Sequence, residues 1–390
     1  MTRDSIAPIV DWLIDGAPSA PTPADVLNQM CERVVAAGIP VWRVAAFIRT
    51  LHPEIMGRRL EWREGSGISI GEAPFEVFDS ASFKGSPVSR IYREGQPLRL
   101  RLDALASGEF PQLDDLCAEG ATDYLAVPLV FSNGDIHVGT WATRAPGGFT
   151  EQQLAALHRL TKPLTRLAEA HALRRTAANL LDTYVGRDAG ARILNGQIRR
   201  GFSETIEAVI WLSDMRGFTA LADTVAPAEL MALLNRYFDC QVPVILDHGG
   251  EVLKFMGDGL LAIFPLAGPD PAAVCADAMA AAGEMRRAVG AITDWPSPGN
   301  SSGPRHGLAL HIGELLYGNI GAANRLDFTV IGPDVNLAAR LEALAARLGR
   351  TTVVSAGFAR HCGGALVLLG EFALAGFRAP QPVYGLADEA

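Results

Sequence analysis

Two acids held near glycines are the residues of this sequence best placed to do chemistry. Asp214 follows the apolar run Ile206–Leu212 in the string Ser213-Asp214-Met215-Arg216-Gly217-Phe218-Thr219, and Asp258 stands in Gly257-Asp258-Gly259. A carboxylate at the end of a strand is a hard oxygen ligand. The free amides of Gly217, Phe218 and Thr219 at the start of the next helix favour an anion. Each motif also has a plain structural reading: strand–Asp–turn–helix makes an N-cap, and Gly-Asp-Gly makes a tight turn. Side by side, the two carboxylates would hold two Mg²⁺ ions about 3.5–4 Å apart and stabilise both oxygens of a phosphoryl displacement.

Further groups suit the same chemistry. Lys254, the one lysine of residues 201–390, lies four residues before Asp258. Asn336 and Arg340 stand at i and i+4 and share a helix face, where an arginine can neutralise charge on a transferred phosphoryl group. As a bare pair they read equally as solvated surface.

The elements that position these residues follow from pattern. Ile206–Leu212 reads as a buried strand, and Pro227–His248 as one helix ending at Gly249-Gly250. Glu251–Met256 and Leu260–Phe264 read as a strand pair around Asp258. His306–Gly313 and Arg325–Gly332 read as strands, and Pro333 opens a helix through Leu348. Upstream, Ile6–Ile14 and a stretch from Ala24 read as helices, and Val41–Thr50, Gly57–Arg63 and Leu98–Leu102 as strands. Ala126–Phe131 and Ile136–Ala142 flank Ser132-Asn133-Gly134-Asp135, a hairpin signal that calls for φ > 0 at Asn133 and Gly134. Gly65, Gly67 and Gly71 miss the dinucleotide-binding spacing and read as loop. This order predicts an antiparallel sheet with helices on one side.

A leucine seam runs through Leu154, Leu157, Leu160, Leu164 and Leu167, then Leu173, Ala177, Leu180 and Tyr184, with a phase break near His171. The first half is expected to dock on the N-terminal sheet and the second to pair with a partner helix.

Composition excludes several classes. The chain has 390 residues, 49% of them hydrophobic and 20% charged, enough for two or three packed domains. Its net charge of −9 lies mostly in residues 201–390, so a nucleic-acid footprint is absent there. No apolar run is long enough for a membrane span. Five scattered cysteines form no metal-type pair, which predicts no disulfide framework and a cytoplasmic setting.

Residues 203–390 resemble the class III nucleotidyl cyclases. Four strings carry the resemblance: Trp211–Thr219; Leu253-Lys254-Phe255-Met256-Gly257-Asp258-Gly259; Leu310–Glu314 with Tyr317–Gly321; and Asp327–Gly332 leading to Val335–Glu342. The resemblance implies a ferredoxin-like βαββαβ domain that converts a nucleoside triphosphate to the 3′,5′-cyclic monophosphate and pyrophosphate. It implies Asp214, Asp258 and the Met215 carbonyl as ligands of two Mg²⁺ or Mn²⁺ ions, with the amides of Gly217, Phe218 and Thr219 on the substrate. Lys254 and Thr329 fall where the family selects the base, and this pair implies ATP: adenine N1 accepts and N6 donates, which suits an ammonium and a hydroxyl. Asn336 and Arg340 match the pair that orients ribose and stabilises the transition state. Arg378 carries two readings, a triphosphate contact or surface charge. Pro333-Asp334 departs from the order many members show.

The family's site lies between two catalytic domains, so the resemblance implies a homodimer. Residues 1–165 resemble a GAF-type sensor domain, on Leu125-Ala126-Val127-Pro128-Leu129, the hairpin, and Phe149-Thr150-Glu151-Gln152-Gln153. That implies an antiparallel sheet and a small-molecule effector, with residues 166–202 as a helical signalling linker. The whole reading is a lyase, an α/β (α+β) adenylate cyclase without nucleic-acid or membrane partners. Its alternatives are a guanylate cyclase and a non-catalytic nucleotide-binding regulator.

Overall fold

The computed structural model describes residues 5–106, 108–266, 268, 270–296, 303–363 and 365–389. The chain divides into two compact units, Met1–Leu180 and Leu181–Ala390.

The first unit opens with α1 (Ala7–Ile14) and α2 (Pro23–Ala36). Thr22 and Asp25 start α2 with a reciprocal capping box, and its Val26, Leu27, Met30 and Val34 are buried. Then come β1 (Arg43–Arg49), β2 (Ile55–Arg63), β3 (Gly67–Pro74), the short helices α3 (Phe75–Asp79), α4 (Ala81–Lys84) and α5 (Pro87–Glu94), and β4 (Leu98–Arg101). After α6 (Asp114–Ala118), β5 (Asp123–Val130) and β6 (Ile136–Thr143) lead to α7 (Glu151–Val185). The six strands form one antiparallel sheet in the order β3-β2-β1-β6-β5-β4.

Both faces of this sheet are covered, which corrects the expected one-sided arrangement. Val34, Leu157 and Leu160 pack with Trp62 and Trp141 on one face. Val88, Ile91 and Leu116 pack with Tyr124 and Val138 on the other. Three short helices too brief to show a period, and a strand written with glycines, escape the sequence pattern. Gly71 lies inside β3 opposite Arg59 instead of in a loop. In the hairpin only Gly134 takes positive φ, at 89°. The Gly134 N–H reaches the Phe131 carbonyl, and the Phe131 N–H reaches the Asp135 carbonyl. That is a three-residue loop, and Asn133 stays in the ordinary region.

The second unit contains α8 (Arg187–Leu194), β7 (Ser203–Arg216), α9 (Phe218–Ala222), α10 (Pro227–Asp239), α11 (Val242–Asp247), β8 (Glu251–Met256), β9 (Gly259–Pro265) and α12 (Pro271–Gly290). It continues with β10 (Arg305–Ala322), β11 (Arg325–Ile331), α13 (Pro333–Leu348), β12 (Thr352–Ser355), α14 (Ala356–His361), β13 (Leu366–Phe372) and β14 (Gln381–Leu386). The sheet order is β13-β14-β12-β10-β7-β9-β8, with β11 paired to β10. From β7 to β10 the chain runs βαββαβ with strand order β10-β7-β9-β8, the ferredoxin-like arrangement expected. Helices α10, α11, α12 and α14 pack on one face, and α8 and α13 on the other.

Two elements differ from expectation. The helix foreseen over 227–248 breaks at Cys240-Gln241 into α10 and α11, and Pro243 sits in the first turn of α11. The strand foreseen to end at Gly313 runs 18 residues, through Gly313, Gly318 and Gly321. Pairing with β7 from Arg305 to Gly318, and with β11 from Leu316 to Ala322, overrides the weak strand preference of those glycines.

The five cysteines are free. Among the described residues no helix is long and apolar enough to cross a membrane. On α7, Leu154, Leu157 and Leu160 are buried in the N-terminal core, whereas Leu173, Leu180 and Tyr184 are exposed, Tyr184 by 80%.

Candidate active site

Central strand β7 carries Asp214 two residues before its end, and the β8–β9 turn carries Asp258. Ser213 of β7 is paired with Leu260 of β9, which brings the turn beside Asp214. The two carboxyl groups meet. Burial first, then the negative charge of Asp214, push the Asp258 pKa up to about 6, against backbone N–H groups of Asp258 and Met215 that favour its ionised form. Gly259 makes the approach feasible, since a Cβ there would stand 3.2 Å from Asp214 Oδ1 and 3.1 Å from the Ser213 carbonyl. In an antiparallel strand the N–H and C=O of one residue face the same side. The Met215 carbonyl therefore lies toward the same edge as its N–H.

The surroundings add little positive charge. Arg216 is held by Glu342 of α13, Nη2 to Oε1 at 2.8 Å. Burial raises the pKa of Glu342, which Arg216 opposes and Asp214 reinforces. Tyr237 is fully buried behind the acids; burial first, then Asp214 and Asp258, raise its pKa. A crowded, under-compensated carboxylate pair with backbone carbonyls nearby fits a hard divalent cation. Among the described residues no third His, Cys, Asp or Glu joins the pair, so substrate or water would complete the coordination.

Gly217, in the left-handed region at φ 78°, caps α9, and Phe218 and Thr219 are its first residues. Amides in a first helical turn have no intrahelical acceptor. Phe218 packs its ring against the core beneath. Lys254 is half-buried on β8 and Thr329 buried on β11, with β9, β7 and β10 between those strands. Tyr317 on β10 reaches Glu251 of β8, Oη to Oε1 at 3.2 Å, and meets the Phe328 ring edge-on at 4.8 Å. Leu253 and Phe328, chain neighbours of Lys254 and Thr329, belong to one apolar cluster. Thr329 is 6% exposed, and its Oγ1 has no hydrogen-bond partner.

Asn336 and Arg340 are exposed on α13 and, among the described residues, have no side-chain hydrogen bond or ion pair. Among the described residues no hydrogen bond or ion pair joins them to Asp214 or Asp258 of their own chain. Glu342, whose pKa those acids raise, is two residues beyond Arg340 and so about 200° further round the helix. Arg378 is exposed in the β13–β14 connection. The pairing of Arg216 with Glu342 was not visible in the sequence, where 126 positions separate them.

Residues 203–356, within the second unit, match the family described as "Adenylate and Guanylate cyclase catalytic domain". The chain is similar to an adenylate cyclase of Anabaena cylindrica, 32% identical over 168 residues, covering 42% of this chain and 32% of that protein. An uncharacterised protein of Mycobacterium tuberculosis is 33% identical over 193 residues, covering 48% of this chain and 32% of that protein. The chain thus spans about a third of the length of these curated relatives. Solved structures similar to it include the adenylyl cyclase CyaB from P. aeruginosa, at 25% identity and TM-score 0.43 over 48% of this chain and 97% of that one. The guanylyl cyclase Cya2 follows at 27% identity and TM-score 0.41, over 47% of this chain and 93% of that one.

Proposed function

We propose that the second unit is an adenylate cyclase that turns ATP into 3′,5′-cyclic AMP and pyrophosphate, working as a homodimer. The observation that carries this reading is that β7 and the β8–β9 turn bring the Asp214 and Asp258 carboxyl groups together, where burial and then the Asp214 charge push Asp258 up to about 6. Mg²⁺ or Mn²⁺ held there, two per site, would lower the pKa of the ribose 3′-OH and hold the triphosphate for in-line attack on the α-phosphorus. Asp214, Asp258 and the Met215 carbonyl provide the oxygen ligands. The amides of Gly217, Phe218 and Thr219 receive phosphate oxygens. From the second protomer, Lys254 and Thr329 hold adenine, Asn336 orients ribose and Arg340 meets the charge that builds on the transferred phosphate. The buried, unpartnered hydroxyl of Thr329 supports its role, because such a group is costly unless a substrate atom completes it.

The deciding experiment offers ATP and GTP separately to the purified chain with Mg²⁺ or Mn²⁺ and identifies products by chromatography. Cyclic AMP from ATP is expected; cyclic GMP alone would make it a guanylate cyclase. The double change Lys254→Glu with Thr329→Cys should lower kcat/KM for ATP about a hundredfold and raise it for GTP, since a glutamate accepts from guanine N1–H and N2–H₂. Equal loss with both nucleotides would remove these residues from base selection.

Residues 1–165 would act as a GAF-like sensor and 166–202 as the linker that biases the catalytic dimer. The exposed Leu173, Leu180 and Tyr184 supply an apolar face for the same segment of a second copy. A cavity of about 560 Å³ lies against the first sheet, lined by Arg43, Arg49 and Arg59 with Phe47, Phe83 and Tyr92. Arg43 is buried with Nε unpartnered despite its bond to Glu61, and Arg49 has no side-chain partner among the described residues. Such a lining suits an organic anion with a planar body. Cyclic AMP, cyclic GMP and benzoate can be titrated calorimetrically against the chain, with adenosine as the uncharged control. At least one anion should bind, and Arg49→Ala should weaken it about tenfold. Adenosine binding as tightly as the anions would exclude an anion site.

A further inference from the structure

The departure at Pro333-Asp334 acquires a purpose in three dimensions. Asp334 is the second residue of α13, two before Asn336 and six before Arg340. Its Oδ2 accepts the Glu314 backbone N–H at 2.8 Å, and its Oδ1 lies 3.2 Å from His311 Nε2. On its other side, His311 Nδ1 faces Ser355 Oγ at 2.8 Å. Ser355 Oγ also accepts the Phe358 N–H at 3.2 Å, as the N-cap of α14. His311 is 6% and Ser355 5% exposed.

His311 Nδ1 faces the Ser355 hydroxyl, which after taking the Phe358 N–H keeps both a proton to give and a lone pair to offer, and Nε2 faces the Asp334 carboxylate. Burial lowers the His311 pKa, opposed by Asp334. The chain of contacts therefore runs from the cap of α14, through the His311 imidazole on β10, to the first turn of α13.

Gly313 is part of the arrangement. A Cβ there would lie 2.3 Å from Asp334 Oδ2 and 2.5 Å from its Cγ. The carboxylate lies flat on the β10 backbone because no side chain intervenes. An acid in a first helical turn is favoured by the helix dipole alone and would ordinarily reach into water. This one accepts the Glu314 N–H of β10 and faces His311 Nε2 at 3.2 Å, and Pro333 fixes the backbone immediately before it.

We infer that Asp334, seated on Gly313 and backed by His311 and Ser355, is a positioning residue that locks the first turn of α13 to β10 and so aims Asn336 and Arg340. The inference rests on the substrate roles proposed for Asn336 and Arg340. Its experiment separates the two. Steady-state kinetics with ATP are measured on the parent chain and on Asn336→Ala, Arg340→Ala, Asp334→Ala, Asp334→Asn and the Asp334→Ala/Arg340→Ala double variant, each with its melting temperature. Asp334→Ala should lower kcat about tenfold or more, because slight misplacement of transition-state groups is costly. KM should change by less than about twofold. Asp334→Asn, which keeps an acceptor for the Glu314 N–H, should recover most of the loss. In the double variant Asp334→Ala should cost little beyond Arg340→Ala, because an arginine that is gone cannot be misaimed.

A purely structural role gives another pattern, and that pattern overturns the inference: a lower melting temperature, unchanged kcat at low temperature, and effects that multiply in the double variant. If Asp334→Ala does not fold, Asp334→Ser suits a first helical turn yet is too short to reach the Glu314 N–H, and it should show the same kcat loss. Parental kcat in Asp334→Ser overturns the inference equally. Parental activity in Asn336→Ala and Arg340→Ala would instead overturn the reading of the site itself.

Discussion

Asp258→Asn protein is expected to lose ATP turnover by about a thousandfold while becoming more heat-stable than its parent at pH 8 in chelator. Both effects come from one arrangement. The Asp258 carboxyl is buried against that of Asp214, and its pKa rises from the ordinary 3.8 to about 6. Between those values the folded chain binds more protons than the unfolded chain, so stability falls as pH rises from about 4 to about 6 and then levels off. Above that window two like charges stay confined together. Asparagine keeps the shape and removes one charge, so the difference in melting temperature between variant and parent should open across the same window. Asp214→Asn, which removes the charge facing Asp258, should likewise make the chain more heat-stable at pH 8 in chelator. Mg²⁺ should stabilise the parent at pH 8 and not the variant. Parental activity in Asp214→Ala or Asp258→Asn would remove these acids from the chemistry, and a parent chain that binds nucleotide without turning it over would be a nucleotide-binding regulator.

Asp214→Ala and Arg340→Ala chains should each be inactive alone, yet a mixture allowed to exchange subunits should regain about a quarter of parental activity. Random exchange makes half the dimers mixed, and each mixed dimer contains one intact site of two. The prediction follows from α13. Arg340 is exposed and unpaired on that helix, whereas Glu342, on another side of it, faces toward Asp214 and Asp258. Arg340, about 200° round the helix from Glu342, thus lies on a different side of α13 from the residue that feels those acids. A mixture that stays inactive, with subunit exchange verified by tagged chains, would mean that each site is built from a single chain.

The acids were legible in the sequence because glycines bracket them: Gly257 and Gly259 announce a turn, and Gly217 announces a helix start. The start of α13 was legible from Pro333, and the i, i+4 spacing of Asn336 and Arg340 put both on one face. The ferredoxin-like order followed from the resemblance and is observed. What escaped notice depended on partners remote in the chain. Gly313 looked like a strand end because its real function, receiving the Asp334 carboxylate, involves a residue 20 positions later. The break at Cys240-Gln241 was hidden by an apolar pattern that continues across it. β3 was hidden by Gly67, in the left-handed region at φ 75°, and by Gly71, held in the strand by pairing with Arg59 of β2. The exposed half of the α7 seam was visible as a change of phase, since Leu173 no longer keeps step with Leu167.

The 18-residue β10 has an evolutionary consequence. Along its length it is bonded to β7, β11 and β12 at once, and it presents His311 and Gly313 to one helix and Tyr317 to strand β8. Slippage by one residue would swap inward and outward side chains along the whole strand and disengage three neighbours together. Lineages descending from this sequence can therefore exchange letters in that stretch, but an insertion or deletion within it has almost nowhere to be absorbed. Changes in length should accumulate instead in the connections that leave this shared ruler untouched.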